Sequence, residues 1–299
     1  MRENGGMSDA ASYTSFTYTD AYDVEITVYR WLPDPAQTPE PIAVVQIAHG
    51  IGEHALRYDA FAQYLAKSGF AVYADDHRGH GETGRRQHGG DLSQLGRLGP
   101  GGMRATEAAI VQLTGIIRER HPGLKVAQFG HSWGSFMTQR ILGSRPSHWE
   151  AVVLSGSAYR TRKYMESGPL NAKWAGEPGA TGFEWLSRDP EVARAFVADP
   201  LCFAADIMKL FGIADALRFY GTPKGRWNPQ VPLLIMSGTD DSVSRPGGLQ
   251  LLADAYRARG ASEVSLKLYP EGRHEMLNET NRAEVFADVA TWLIEHAGS

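Results

Sequence analysis

Residues 124–142 read LKVAQFGHSWGSFMTQRIL. The first seven are mostly apolar and read as a strand. From Trp133 onward the apolar residues recur at helical spacing. Between the two lies Gly130-His131-Ser132-Trp133-Gly134, which fits G-x-S-x-G. Glycines on both sides allow a tight strand-to-helix turn. That turn lifts the Ser132 hydroxyl above the strand and leaves backbone N–H groups at the helix start open to an anion.

The same alternation extends outward in both directions. Upstream, IAVVQIAHG (42–50) is a nearly unbroken β-branched run, as in a strand covered on both faces. Residues 55–67 carry Leu56, Phe61 and Leu65 and read as a helix. FAVYADD (70–76) is a strand, a polar Gly-rich loop runs to about Gly102, and RATEAAIVQLTGIIRER (104–120) is a helix. Residues 12–31 form one or two strands turning near Asp20, and Pro33 to Pro41 is a loop. Downstream come the strand WEAVVLSG (149–156), the strand VPLLIMSG (231–238), a helix over 247–258, the strand EVSLKLYP (263–270) and a helix over 281–296. This rhythm predicts an α/β protein with a mainly parallel sheet.

The rhythm stops between Ser157 and Gln230. That quarter of the chain holds 11 of the 30 aromatics. Phe203, Ile207, Leu210, Phe211, Ala214 and Leu217 recur at helical spacing, which predicts a helical insertion. Two readings of its apolar residues stay open: simple packing against the main body, or a part of them lining an apolar substrate pocket. Tyr159, Trp174, Trp185, Phe203, Ile207 and Phe211 are the candidates, joined by Ile51 and Trp133 from the core.

Composition limits the alternatives. The net charge of −4 gives no general attraction to nucleic acid. Cys202 is the single cysteine, so no internal disulfide forms. No apolar run approaches the length of a membrane span. MRENGGMSDA at the N-terminus lacks an apolar signal core, so a cytoplasmic location is expected. Gly accounts for 33 residues, an excess that falls largely at strand ends and loops.

A serine hydroxyl needs a base to become a nucleophile. In this architecture the acid and then the histidine follow the serine in the chain. LLIMSGTDDSVS places Asp240 and Asp241 just beyond one strand, and LKLYPEGRHEML places His274 just beyond the next. His274 is the candidate general base and acid, with an aspartate to orient it. Spacing alone does not choose between Asp240 and Asp241. The oxyanion donors are expected to be the backbone N–H groups of Trp133 and Ile51.

HGIGEH (49–54), DDHRGHGET (75–83), GHSWG (130–134), GTDDSV (238–243) and GRHEMLNE (272–279) together resemble the monoacylglycerol lipase and lysophospholipase branch of the α/β-hydrolases. This is the serine aminopeptidase S33 or hydrolase-4 group. The resemblance implies an eight-stranded, mostly parallel sheet with a helical cap between strands six and seven. It divides the chain into a core of 1–156 and 231–299 and a mainly helical cap, or lid, of 157–230. It implies ester hydrolysis through an acyl-enzyme, and its G-x-x-D-x-V pattern falls on Asp241. The expected substrate is a small ester with an apolar acyl or aromatic part, a monoacylglycerol first of all. A lysophospholipid, thioester, lactone or amide is the alternative. No cofactor, metal or nucleic acid is expected. Transient contact of the cap with a lipid surface is expected, and oligomeric state is left open. Two departures stand out: Trp133 replaces a methionine common among relatives, and Thr83 replaces a serine.

Other patterns carry less. Gly79 to Gly84 fits G-x-G-x-x-G, but it lies in a polar loop and not at the first βα turn of a dinucleotide fold. Asp75, Asp76, His77 and His80 match no closed zinc spacing. Glu53 and His54 read as hydrogen-bonded loop residues, RRQH (85–88) as a solvated loop, and Cys202 as a small packed side chain.

Overall fold

A computed structural model of the chain describes residues 2–3, 13–166 and 168–298. Apart from Arg2 and Glu3, the N-terminal segment read for a signal core lies outside them. Eight strands follow one another: β1 (Thr14–Thr19), β2 (Glu25–Trp31), β3 (Val44–Ala48), β4 (Ala71–Asp75), β5 (Val126–His131), β6 (Ala151–Ser155), β7 (Leu233–Gly238) and β8 (Val264–Tyr269). They lie in the order β1-β2-β4-β3-β5-β6-β7-β8. β1, β2 and β4 pair antiparallel, and every pairing from β4 to β8 is parallel. A two-residue strand, Arg2–Glu3, joins the outer edge beside β1.

The sheet sorts its side chains by the strand period of two. Val44, Val126, Val152 and Leu233 face one core, with Ile110, Leu113 and Phe136. Val45, Ala127, Val153 and Leu234 face the other, with Phe61, Leu65 and Val289. Helices α3 (Gly102–Arg120), α4 (Trp133–Ser144) and α7 (Gly248–Arg257) cover the first face; α1 (Asp59–Lys67) and α8 (Arg282–Ala297) cover the second. Two covered faces explain why the central strands read as unbroken apolar runs.

The loop expected to run to Gly102 contains a short helix, α2 (Gly81–Gln87). Its start is held by the buried Asp76 carboxylate, which accepts from Glu82 N at 2.7 Å and from Ala55 N at 2.9 Å. Arg78 braces the rest, pairing with Asp20 and donating to Leu98 O and Pro100 O.

Between β6 and β7 the regular elements are helical: α5 (Pro190–Ala198), α6 (Ile207–Ala216) and two short 3-10 turns. Asp189 and Asp206 cap the two helices by accepting from Glu191 N and Lys209 N. The apolar stripe of 203–217 is not one continuous helix. Phe203 precedes α6, and Gly212 breaks it at φ 69°, ψ 175°. Among the described residues, no helix is long and apolar enough to cross a membrane.

Candidate active site

Ser132 sits between β5 and α4 with φ 51° and ψ −120°, a left-handed conformation strained for a non-glycine residue. Backbone contacts hold it there: Ser132 N donates to Ser155 O at 2.9 Å, and Ser135 Oγ donates to Ser132 O at 2.6 Å. Gly134 is required for the close approach, because a Cβ there would lie 2.1 Å from Ala48 O. Gly50 plays the same part opposite, where a Cβ would lie 2.7 Å from Glu53 Oε1 and 3.1 Å from Ser132 Cβ.

Asp241 and His274 lie beyond the ends of β7 and β8. His274 Nδ1 and Asp241 Oδ1 are 2.9 Å apart, and both side chains are buried. Asp241 also accepts from Ser237 Oγ at 2.6 Å and from Val243 N at 2.8 Å. Burial pushes its pKa up, but His274 and these donors outweigh it, so the carboxyl is held below its ordinary value. For His274, burial lowers the pKa, and the Asp241 charge with its hydrogen bond reverses that, so the ring stands above its ordinary value. Nδ1 bound to a carboxylate leaves Nε2 as the second ring nitrogen, buried and, among the described residues, without a protein partner. Asp240 instead reaches outward to Lys173 Nζ at 2.6 Å.

Trp133 N opens α4, and Ile51 N lies one residue beyond Gly50. Among the described residues neither amide donates to a protein acceptor. The loop carrying Ile51 is fixed from behind. Glu53 Oε1 accepts from Gly50 N at 2.6 Å and from Tyr58 Oη at 2.8 Å. Arg57 joins Glu53 at 2.8 Å and grips Glu275 through two N–H groups at 2.6 and 2.7 Å. Burial raises Glu53, while for Glu275 the Arg57 charge overcomes burial and holds the pKa at about 2. His49 stacks on His77 at 3.9 Å between ring centroids, and burial keeps His49 neutral.

Two apolar cavities, of about 190 and 120 Å³, both have Ser132, Ile51, Trp185 and Ile207 in their walls. Trp133 lines the first; Phe203 and His274 line the second. Tyr159, Trp174 and Phe211 do not line either, contrary to the sequence expectation. Trp174 packs under the Arg273 guanidinium at 4.4 Å, Tyr159 against Tyr164, and Phe211 behind Trp133 at 5.4 Å. The sequence reading missed Phe136, Met165, Leu170, Phe219 and Val243 in the first cavity. Phe136 was findable, being one helical turn from Trp133.

His54, Asp199 and Cys202 each bring one potential metal-ligand atom within 4.8 Å of the others. Burial raises the Cys202 thiol pKa, which opposes the thiolate a metal needs. His54 Nε2 meets Asp199 Oδ2 at 2.9 Å, so the group already serves as a clasp between loop and insertion.

The strand order, the helical insertion between β6 and β7 and the serine elbow define an α/β-hydrolase, and specifically a serine ester hydrolase of the broad lipase and esterase kind. The model of the Hydrolase_4 family (serine aminopeptidase, S33) matches residues 39–281, and the chain belongs to that family. It is 35% identical over 284 residues to the monoacylglycerol lipase of Mycolicibacterium smegmatis, covering 91% of this chain and 94% of the relative. It is 26% identical to the monoglyceride lipase of Homo sapiens, covering 90% and 86%. Its fold is like that of a thermostable carboxyl esterase from Bacillus coagulans, crystallised with glycerol. There the TM-score is 0.81 at 21% identity, with 96% of this chain and 100% of that one covered.

Proposed function

We propose that the protein is a monoacylglycerol lipase-like esterase working through an acyl-enzyme on Ser132. The observation that carries this reading is the position of Ser132 in the walls of two apolar cavities, with the His274–Asp241 pair beside it. One cavity suits an acyl chain and the other the alcohol.

In this reading Ser132 Oγ attacks the ester carbonyl and His274 Nε2 takes its proton. The new oxyanion receives the N–H groups of Ile51 and Trp133. The carbon–oxygen bond to the alcohol breaks, and His274 returns the proton to the leaving oxygen. Water then gives a proton to His274, attacks the acyl carbon and releases the acid, and the same proton restores Ser132. Asp241 stabilises the charged imidazole in both steps. Residues 157–230 act as the cap that selects the substrate. Exposed Met208, Ile213 and Leu217 support transient contact of this cap with a lipid surface.

A panel of p-nitrophenyl esters and 1- and 2-monoacylglycerols of graded length tests the reading, with Ser132→Ala as control. Monoacylglycerol turnover that disappears in the variant is expected, together with fluorophosphonate labelling that requires Ser132. Unchanged turnover in the variant would overturn the mechanism. Activity on short esters without monoacylglycerol turnover would replace the lipase reading by a general esterase.

A further inference from the structure

A cavity of about 470 Å³ lies among α3, α4 and the segment that leads from the insertion back to β7. None of Ser132, Asp241 and His274 lines it. Arg104, Arg140, Arg160 and Lys224 do, against the single carboxylate of Glu107. Glu107 is engaged by Arg140.

Arg160 is the unusual member, with only 3% of its surface exposed. Its Nε donates to Gln139 Oε1 at 3.1 Å, and its Nη1 donates to Arg218 O at 3.1 Å and Phe219 O at 3.2 Å. All three acceptors are neutral, and among the described residues no carboxylate forms an ion pair with this guanidinium. Burial lowers its pKa to about 10, so it remains a cation at neutral pH. A buried charge without a counter-charge is costly, and an open cavity beside it gives an anion room to supply one.

We propose that this cavity binds a small molecule through a phosphate group seated on Arg160, with Arg104 and Lys224 at the rim. Among the described residues Arg160 Nη2 donates to no protein acceptor, so its N–H groups are left for an oxyanion; Lys224 adds a point charge, and Thr222 in the same wall adds a hydroxyl donor. The site reaches the active centre through the backbone. Arg160 holds the Phe219 carbonyl, Phe219 and Tyr220 line the larger cavity at Ser132, and Tyr220 lines both cavities. Occupancy by phosphate therefore stiffens one wall of the apolar cavity.

Isothermal titration of the full chain with inorganic phosphate tests the proposal, at constant ionic strength against chloride. A parallel arm uses flotation with phosphatidylcholine vesicles with and without phosphatidylglycerol. Saturable phosphate binding is expected that is lost in Arg160→Gln and about tenfold weaker in Arg104→Ala/Lys224→Ala. The rim variant leaves the buried network intact, so it carries the test even where Arg160→Gln fails to fold. Binding to phosphatidylglycerol vesicles with the same dependence on these residues, without binding of free phosphate, assigns the seat to a lipid phosphate. The proposal is overturned if phosphate acts no differently from chloride and vesicles do not bind. It is equally overturned if binding is indifferent to the rim variant.

Discussion

Asp241→Asn isolates the contribution of one charge. In the protein, Asp241 Oδ1 accepts from both Val243 N and His274 Nδ1, while Oδ2 accepts from Ser237 Oγ. The Val243 amide therefore fixes an oxygen, not the new NH2, at the position facing His274. Ser237 can rotate its hydroxyl and accept from the NH2. The imidazole then keeps its tautomer and loses only its counter-charge. With the charge centres roughly 4 Å apart and an effective dielectric near 20, the interaction is about 4 kcal/mol. Catalysis should fall by about 10³-fold in kcat/KM, less than the ~10⁴ seen where the tautomer is inverted. The pH profile should move as well. In the proposed mechanism only neutral His274 accepts the Ser132 proton, so activity should rise with pH through its pKa. Asp241 raises that pKa against burial, so its loss moves the acid limb to lower pH. Stopped-flow assays on a soluble p-nitrophenyl ester from pH 4 to 9 read both quantities. A loss below tenfold with an unmoved limb refutes the role given to the Asp241 charge. A loss beyond ~10⁴ refutes the argument that Val243 fixes the oxygen.

Three further outcomes follow from the same geometry. Arg57→Met strands the buried carboxylates of Glu53 and Glu275 and should cost about 3–5 kcal/mol in urea unfolding at pH 7; the deficit should shrink as pH falls and the acids protonate. Gly50→Ala pushes a methyl group against Glu53 Oε1 and Ser132 Cβ, so kcat should drop by about 10²–10³ through the displaced Ile51 amide; steady-state kinetics paired with a folded circular-dichroism spectrum check it. Trp133→Met enlarges the larger cavity and removes an indole N–H that is buried without a partner among the described residues. The preferred acyl chain should lengthen across an ester series, at a stability cost of about 1–3 kcal/mol, read by thermal denaturation.

The elbow was legible because a mostly apolar strand run gives way to helical spacing across five residues, Gly130 to Gly134, and glycines flank that change. The central strands were legible because helices cover both faces. Helix α2 was not, since GETGRRQ has two glycines and weak periodicity. Its start is set by Asp76, a buried carboxylate whose direction depends on the end of β4. At the site, chain order pointed to Ser132, an aspartate and His274, and the choice of Asp241 over Asp240 rested on resemblance. Geometry separates the two, since Asp241 faces His274 and Asp240 faces Lys173. The insertion was the least readable. Its aromatics look alike in sequence, yet Trp185 reaches the cavities while Trp174 is captured by Arg273. Which neighbour wins an aromatic ring is decided by non-local packing, which no local period records.

Arg57 links features that the sequence shows only as separate motifs. Glu53 holds the amide of Gly50 on the loop that carries Ile51, Glu275 follows His274, and Arg57 binds both acids. The insertion closes the same circuit: Phe203 N donates to Gly52 O at 2.9 Å, Glu275 N to Leu186 O at 2.8 Å, and His54 meets Asp199. Two carboxylates are thus buried around one guanidinium, an arrangement that gains stability only with good geometry. Its effect is to tie the two loops flanking Ser132 to each other and to residues 186–203. A shift in that part of the insertion must therefore move the Ile51 amide or the His274 ring. Substitutions there should alter kcat as well as KM, whereas changes confined to exposed Ile213 or Leu217 leave the circuit untouched.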